Sequence, residues 1–255
     1  MDLRVLGCHG GETPKHRTTA FLIDERLTLD AGALTNTLTL PDQAKLEVAL
    51  VSHAHLDHIR DLATLADNRA QLGCPPLKVV APKATIAELK AHFFNDRLWP
   101  DFTVIPSPAE PTIILEELPL EQETRILNYT VRAIPVNHTV EAAGFIIDDG
   151  QGSIGFSGDT GPTDRLWEAL NETENLRALL MEVSFPDEEQ KLATASGHHT
   201  PRTLFEDLKK LRRSEELPAL LYHIKPPFQR EVETQCAALK GVALSVLQLD
   251  DHFIL

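Results

Sequence analysis

The chain has 255 residues, 42% of them hydrophobic, with a formal charge of −14 and 11 histidines. That apolar share is enough for a packed core and excludes a wholly disordered chain, and the length allows one large α/β domain or two small ones. The acidity excludes a protein that coats long nucleic acid, because such binding rests on Lys and Arg neutralising phosphates.

Short β-type runs open the chain. Leu3 to Cys8 predicts a strand, His9-Gly10-Gly11 a turn, and Thr18 to Ile23 and Leu27 to Asp30 two more strands. Val48 to Ser52 is a short apolar run that ends in a His-rich loop, and Ile59 to about Ala70 carries helical periodicity. Lys78 to Ala81 predicts a strand, and Pro82 opens a helix to about Phe94. Tyr129 to Ile134, Ala143 to Ile147 and Ser153 to Ser157 read as strands, Thr163 to Leu170 as a helix, and Ala178 to Glu182 as a buried strand. Thr200, a good N-cap, and Pro201 open a helix to about Leu211; Ala219 to Tyr222 is a strand, Arg230 to Lys240 a helix, and Ala243 to Leu247 a strand. Two blocks of strands, each with helices, predict two sheets with helices outside.

Residues 95–125 break this rhythm with five prolines, Pro100, Pro106, Pro108, Pro111 and Pro119. They read either as an irregular connector with a small satellite core around Phe93, Phe94, Trp99 and Phe102, or as a lid or homodimer contact beside a site. Met1 to Gly7 has no basic-then-apolar leader pattern, and no run approaches the ~20 apolar residues of a membrane span. Cys8, Cys74 and Cys236 form neither a CxxC pair nor a disulfide framework, so reduced thiols and a cytoplasmic location are expected.

Ser52-His53-Ala54-His55-Leu56-Asp57-His58 carries the strongest chemical signal. In extended chain, residues two apart share a face, so His53, His55 and Asp57 point one way, and His58 turns at the entry to the next helix. Imidazoles with a carboxylate suit Zn²⁺, Mn²⁺ or Fe. One loop offers too few ligands for a full site. His138, Asp159 and His223 each follow a predicted strand, where a sheet edge can present them to the same place.

The order His-x-His-x-Asp-His, then His138, then Gly158-Asp159-Thr160, then His223 resembles the metallo-β-lactamase-fold hydrolases along almost the whole chain. The resemblance implies an αββα sandwich, with two mixed sheets and helices on the outer faces, forming a single domain over 1–255. It implies that His53, His55 and His138 hold one divalent ion, that Asp57, His58 and His223 hold a second, and that Asp159 bridges them. Zn is the expected metal, with Mn or Fe also compatible. Asp30, in Leu29-Asp30-Ala31-Gly32, matches an early aspartate that orients a ligand histidine. Within the fold, several segments resemble the class II 3′,5′-cyclic-nucleotide phosphodiesterases. These are Gly7-Cys8-His9-Gly10-Gly11, Ser157 to Pro162, Leu176 to Phe185, Ser196-Gly197-His198-His199-Thr200-Pro201 and Tyr222 to Pro226. His199 departs from that pattern, which has an apolar residue there.

The implied activity is hydrolysis of a small phosphodiester, a cyclic nucleotide such as cyclic AMP, to the 5′-monophosphate. The nucleophile is a hydroxide generated from water by the paired metals. Asp57, Asp159 and His198 are the catalytic candidates, with His198 as phosphate contact or leaving-group proton donor. Thr160 and Lys225 read as substrate contacts or as a turn cap and a surface ion pair, and Glu182 as support for the site. His9 reads as a pocket border or a structural histidine; His16, His92 and His252 read as surface histidines. The same scaffold carries RNA 3′-end nucleases, lactonases, thioesterases and mononuclear-iron persulfide dioxygenases. The charge of −14, without a Lys/Arg cluster, disfavours an RNA-binding arm.

Overall fold

The computed structural model describes residues 1–212 and 217–255. Two seven-stranded sheets face each other. Across the first run His252–Ile254, Asp2–Gly7, Ala20–Ile23, Leu27–Leu29, Val48–Leu50, Leu77–Ala81 and Ile113–Glu117. Across the second run Leu244–Val246, Ala219–Tyr222, Leu176–Glu182, Ser153–Phe156, Ala143–Asp148, Tyr129–Pro135 and Glu123–Ile126. Each sheet is mixed. From Leu27–Leu29 to Ile113–Glu117 the first is parallel, and from Ser153–Phe156 to Leu244–Val246 so is the second; the remaining pairs are antiparallel.

Three apolar layers hold this arrangement. Between the sheets lie Leu3, Val5, Leu29, Leu50, Val131 and Leu180, with a ring cluster of Phe21, Phe145, Phe156 and Tyr222. On the outer face of the first sheet, Leu62, Leu65, Ile86 and Leu89 come from helices. On the second, helical Leu166, Trp167, Leu204 and Val232 do the same work. A strand covered on both faces has no reason to alternate, and Ala20–Ile23 is buried at every residue. The result is the expected αββα sandwich.

Element boundaries lie within three residues of the sequence reading, and those of Ala219–Tyr222 coincide with it. The helix expected from Ile59 divides at Arg60 into Leu56–Ile59 and Asp61–Leu72. The one expected from Pro82 becomes π-helical over Leu89–Phe93, and the one from Pro201 stops at Leu208. The segment 95–125 is more regular than its prolines suggest. It supplies one edge strand to each sheet, Ile113–Glu117 and Glu123–Ile126, separated at Pro119, and so carries the chain from one sheet to the other. Phe93, Phe94 and Phe102 join the helix layer on the first sheet instead of forming a separate core. Helices Leu40–Lys45 and Gln190–Ser196 were not foreseen.

Strand direction positions the chemistry. Asp2–Gly7, Leu27–Leu29 and Val48–Leu50 run the same way, and their ends lead into His9, Asp30 and Ser52 to His58. Tyr129–Pro135, Ser153–Phe156, Leu176–Glu182 and Ala219–Tyr222 also share one direction, and their ends lead into or carry His138, Asp159, Glu182 and His223. The carboxyl ends of parallel strands are where open α/β sheets present ligand-binding side chains.

Candidate functional site

At this edge the seven sequence-predicted ligands form two adjoining groups. In the first, the ligand atoms of His53, His55 and His138 lie within 4.8 Å of one another. His53 Nε2 is 3.0 Å from His55 Nδ1, which is 3.2 Å from His138 Nε2. The second group is Asp57, His58, Asp159 and His223. Asp159 Oδ2 is 3.2 Å from both His58 Nε2 and His223 Nε2, and 3.8 Å from His53 Nε2 of the first group. Asp57 Oδ2 is 3.3 Å from His223 Nε2.

Four of the imidazoles are gripped from behind. His53 Nδ1 lies 3.0 Å from Ser52 Oγ, His58 Nδ1 2.6 Å from Asp30 Oδ2, His138 Nδ1 2.9 Å from the Gly197 carbonyl, and His223 Nδ1 2.9 Å from Ser184 Oγ. Each contact spends the outward nitrogen and leaves the inward one aimed at the cluster, the arrangement by which metal-binding histidines are oriented. Asp30 was expected from the sequence and is doubly anchored, accepting from Ser52 N at 2.8 Å and Ser52 Oγ at 3.0 Å. Ser52, Ser184 and Gly197 were missed. The two serines had a usable signal, since each lies within two residues of a candidate; Gly197 acts through its backbone and leaves none.

The electrostatics suit a cation. Burial holds His53, His55, His138 and His223 below the ordinary histidine value, so their inward nitrogens keep their lone pairs. Burial pushes Asp159 and Asp57 upward, but neighbouring His223 and His58 outweigh it and keep both carboxylates ionised. His58 goes the other way: burial lowers it, yet Asp159 and Asp30 raise it well above its usual value. Asp159 Oδ1 is buried and has no hydrogen-bond partner among the described residues. An ionised, buried carboxylate oxygen without a partner is costly, and a cation bound beside it removes that cost. Imidazole nitrogens with carboxylate oxygens, and no sulfur, form a donor set for divalent metal.

Behind the two groups, fully buried Glu182 organises a third feature. Its Oε1 accepts from His198 Nδ1 at 2.9 Å, Thr160 N at 3.1 Å and His199 N at 3.2 Å, and its Oε2 accepts from Ser184 Oγ at 3.1 Å. His198 stacks on His223 at 5.2 Å and meets His138 edge-on at 5.1 Å. Burial lowers its affinity for protons, and Glu182 more than restores it. Lys225 Nζ lies 3.8 Å from Asp57 Oδ2, at the rim. Thr160 faces backbone: its hydroxyl donates to the Gly161 carbonyl and accepts from Asn137 N, which makes it a turn clamp.

The other histidines separate from the cluster. His199 bonds Thr203 Oγ1 at 3.1 Å, and His9 receives Arg17 N at 3.4 Å. His92 and His252 are exposed beside Glu88 and Asp2. His16 is half-buried, with both ring nitrogens engaged, by Thr13 Oγ1 at 2.5 Å and Gln229 Oε1 at 2.8 Å. Its partner Gln229 is 213 positions away, beyond any local pattern.

The Beta-lactamase superfamily domain matches residues 21–224, a span that contains every residue of both groups. A probable 3′,5′-cyclic-nucleotide phosphodiesterase of Yersinia pestis is 29% identical over 204 residues, covering 71% of this chain and 57% of that protein. A 3′,5′-cyclic-nucleotide phosphodiesterase of Aliivibrio fischeri is 25% identical over all of this chain and 90% of its own length. Unliganded yeast PDE1 superposes with a TM-score of 0.82 at 18% identity, over 97% of both chains. With its two mixed sheets, its ligand cluster at their carboxyl edge and this match over most of its length, the chain belongs to the beta-lactamase superfamily.

Proposed function

We propose that the chain is a dinuclear metal-dependent phosphodiesterase, acting as one catalytic unit over 1–255, that opens 3′,5′-cyclic nucleotides to 5′-monophosphates. The observation that carries the metal assignment is Asp159, whose Oδ2 lies against both groups while its buried Oδ1 has no partner among the described residues. In this reading His53, His55 and His138 would hold one ion, Asp57, His58 and His223 would hold the other, and Asp159, lying against both groups, would serve each. The choice of substrate is supported by the two bacterial relatives and by the His198–Glu182 pair beside the cluster.

When bound, divalent ions held by these residues would supply positive charge to the phosphoryl oxygens and acidify water. The protein's own part is positional. Ser52, Asp30, Gly197 and Ser184 fix the imidazoles, so little reorganisation remains when the anion arrives. Glu182 holds His198 Nδ1, leaving Nε2 to give its proton to the departing 3′-oxygen. Lys225, at the rim, draws in the anionic substrate and offsets Asp57.

A substrate panel tests this reading: cyclic AMP, cyclic GMP, bis(p-nitrophenyl) phosphate, a lactone and a thioester, each with metal content measured on the same preparation. Phosphodiester turnover with about two metals per chain is expected. Lactone or thioester turnover without phosphodiester turnover overturns it, as does a single iron with oxygen uptake.

A further inference from the structure

Beside the metal cluster lies an open cavity of about 630 Å³ that the mechanism leaves unused. Two turns wall it, Gly10 to His16 on one side and Lys225 to Phe228 on the other. Gly10 N donates to the Ile224 carbonyl at 3.1 Å, and a Cβ at Gly10 would sit 2.8 Å from the Lys225 side chain. The glycines therefore let the turns close without filling the space between them. Pro226, Pro227 and Phe228 make the cavity wall apolar.

Two observations tie the cavity to the site. Lys225 lines it and also lies 3.8 Å from Asp57 Oδ2. A row of rings leads outward: His223 on His198 at 5.2 Å, His198 near Phe185 at 5.8 Å, and Phe185 near Phe228 at 5.8 Å. A ligand whose anion sits at the cluster would thus place its remaining bulk in a cavity with an aromatic wall. The polar side chains along the cavity are already engaged: Thr13 with His16, Glu12 with Arg60, and Lys225 with Asp57. Little is left free to read the edge of a base, whereas every base offers a π face to a ring.

We infer that this cavity is the nucleobase subsite, holding the base by stacking on Phe228 with little discrimination among bases. The inference rests on the cyclic-nucleotide reading above. Replacing the ring while keeping apolar bulk, Phe228→Leu, raises the KM for cyclic AMP and cyclic GMP alike by about tenfold, with kcat little changed. Phe228→Tyr restores the wild-type KM. For ribose 3′,5′-cyclic phosphate with no base on C1′, an ester with no aromatic ring, the KM stays the same in all three proteins. In the wild type, the KM values for the two nucleotides lie within about threefold, less than the 1.4 kcal/mol that a tenfold ratio represents.

Binding of adenosine, read by titration calorimetry, needs no turnover and separates the two readings. If the wild type opens no cyclic nucleotide yet binds adenosine in a Phe228-dependent way, the function proposed above fails and the subsite stands. If the wild type opens cyclic AMP but Phe228→Leu leaves its KM and adenosine binding unchanged, the subsite is wrong. An equal rise in KM for the base-free ester also overturns it, because the ring would then be supporting the site and not the base.

Discussion

At the residue scale the account turns on how a few side chains are held. Asp159→Ala removes the carboxylate that lies against both groups of candidate ligands, so the variant should retain less than half the wild-type metal after dialysis, read by elemental analysis; full occupancy would show that Asp159 bridges nothing. Asp30 reaches the cluster directly through His58, at 2.6 Å, and through Ser52, whose Oγ also meets His53. Asp30→Asn keeps the shape and loses the charge, and should weaken metal binding by about 10–100-fold in a chelator competition. His198→Asn should slow cyclic AMP opening by about 10²-fold or more, because the ribose 3′-oxygen needs a proton to leave. The same variant should cleave bis(p-nitrophenyl) phosphate nearly as well as wild type, since p-nitrophenolate leaves unprotonated; equal losses on both substrates would rule out proton donation. The candidate ligands were legible because four of them fall within Ser52 to His58, but the alternation argument reaches only His53 and His55: Asp57 lies with His58 in the helix Leu56–Ile59 and joins the other group. Gly197 was not legible, because its carbonyl meets His138 only once distant segments have met; Ser184 stood beside the candidate Glu182, but its contact with His223 likewise exists only in the fold.

The elements matter for where their ends point. The turn after Ser153–Phe156 must bring Asp159 inward at once, and Gly158 allows this with φ of +59°. A Cβ there would lie 2.8 Å from the Ala143 carbonyl. Gly158→Ala should therefore cost about 1–3 kcal/mol, seen as a lower denaturation midpoint, and should release metal as Asp159 shifts. An unchanged midpoint would mean the turn has slack the structure does not show. Central strands such as Ala219–Tyr222 were readable as apolar runs, and their observed limits match. The edge strands Ile113–Glu117 and Glu123–Ile126 were not. One face of an edge strand looks to solvent, so Glu116, Glu117 and Glu123 dilute the apolar signal, and pairing with Leu77–Ala81 or Tyr129–Pro135 decides the outcome. Pro119 marks the break between them and not the absence of structure.

For the whole molecule, the acidity and the histidines act together. Burial depresses His53, His55, His138, His199 and His223, and lowers His9 to about 4. Such a group binds its proton better in the unfolded chain, so it costs stability as pH falls below the unfolded value of about 6.5. His58 and His198 are raised; their contribution is full below about 6.5 and is lost as pH rises through their folded values. Six depressed groups against two raised ones make the metal-free protein less stable on going from about pH 7 to about pH 5. Denaturant midpoints in excess chelator check the sign, and a rising midpoint would contradict it. The central claim, metal-dependent opening of a cyclic nucleotide at this edge of the sandwich, is tested most directly by following 5′-AMP formation from cyclic AMP through a cycle of chelation and metal return. Turnover should disappear when metal is stripped and recover with its re-addition, in the wild type but not in Asp159→Ala. Turnover that persists in metal-free protein, or its absence from fully loaded wild type, would contradict it.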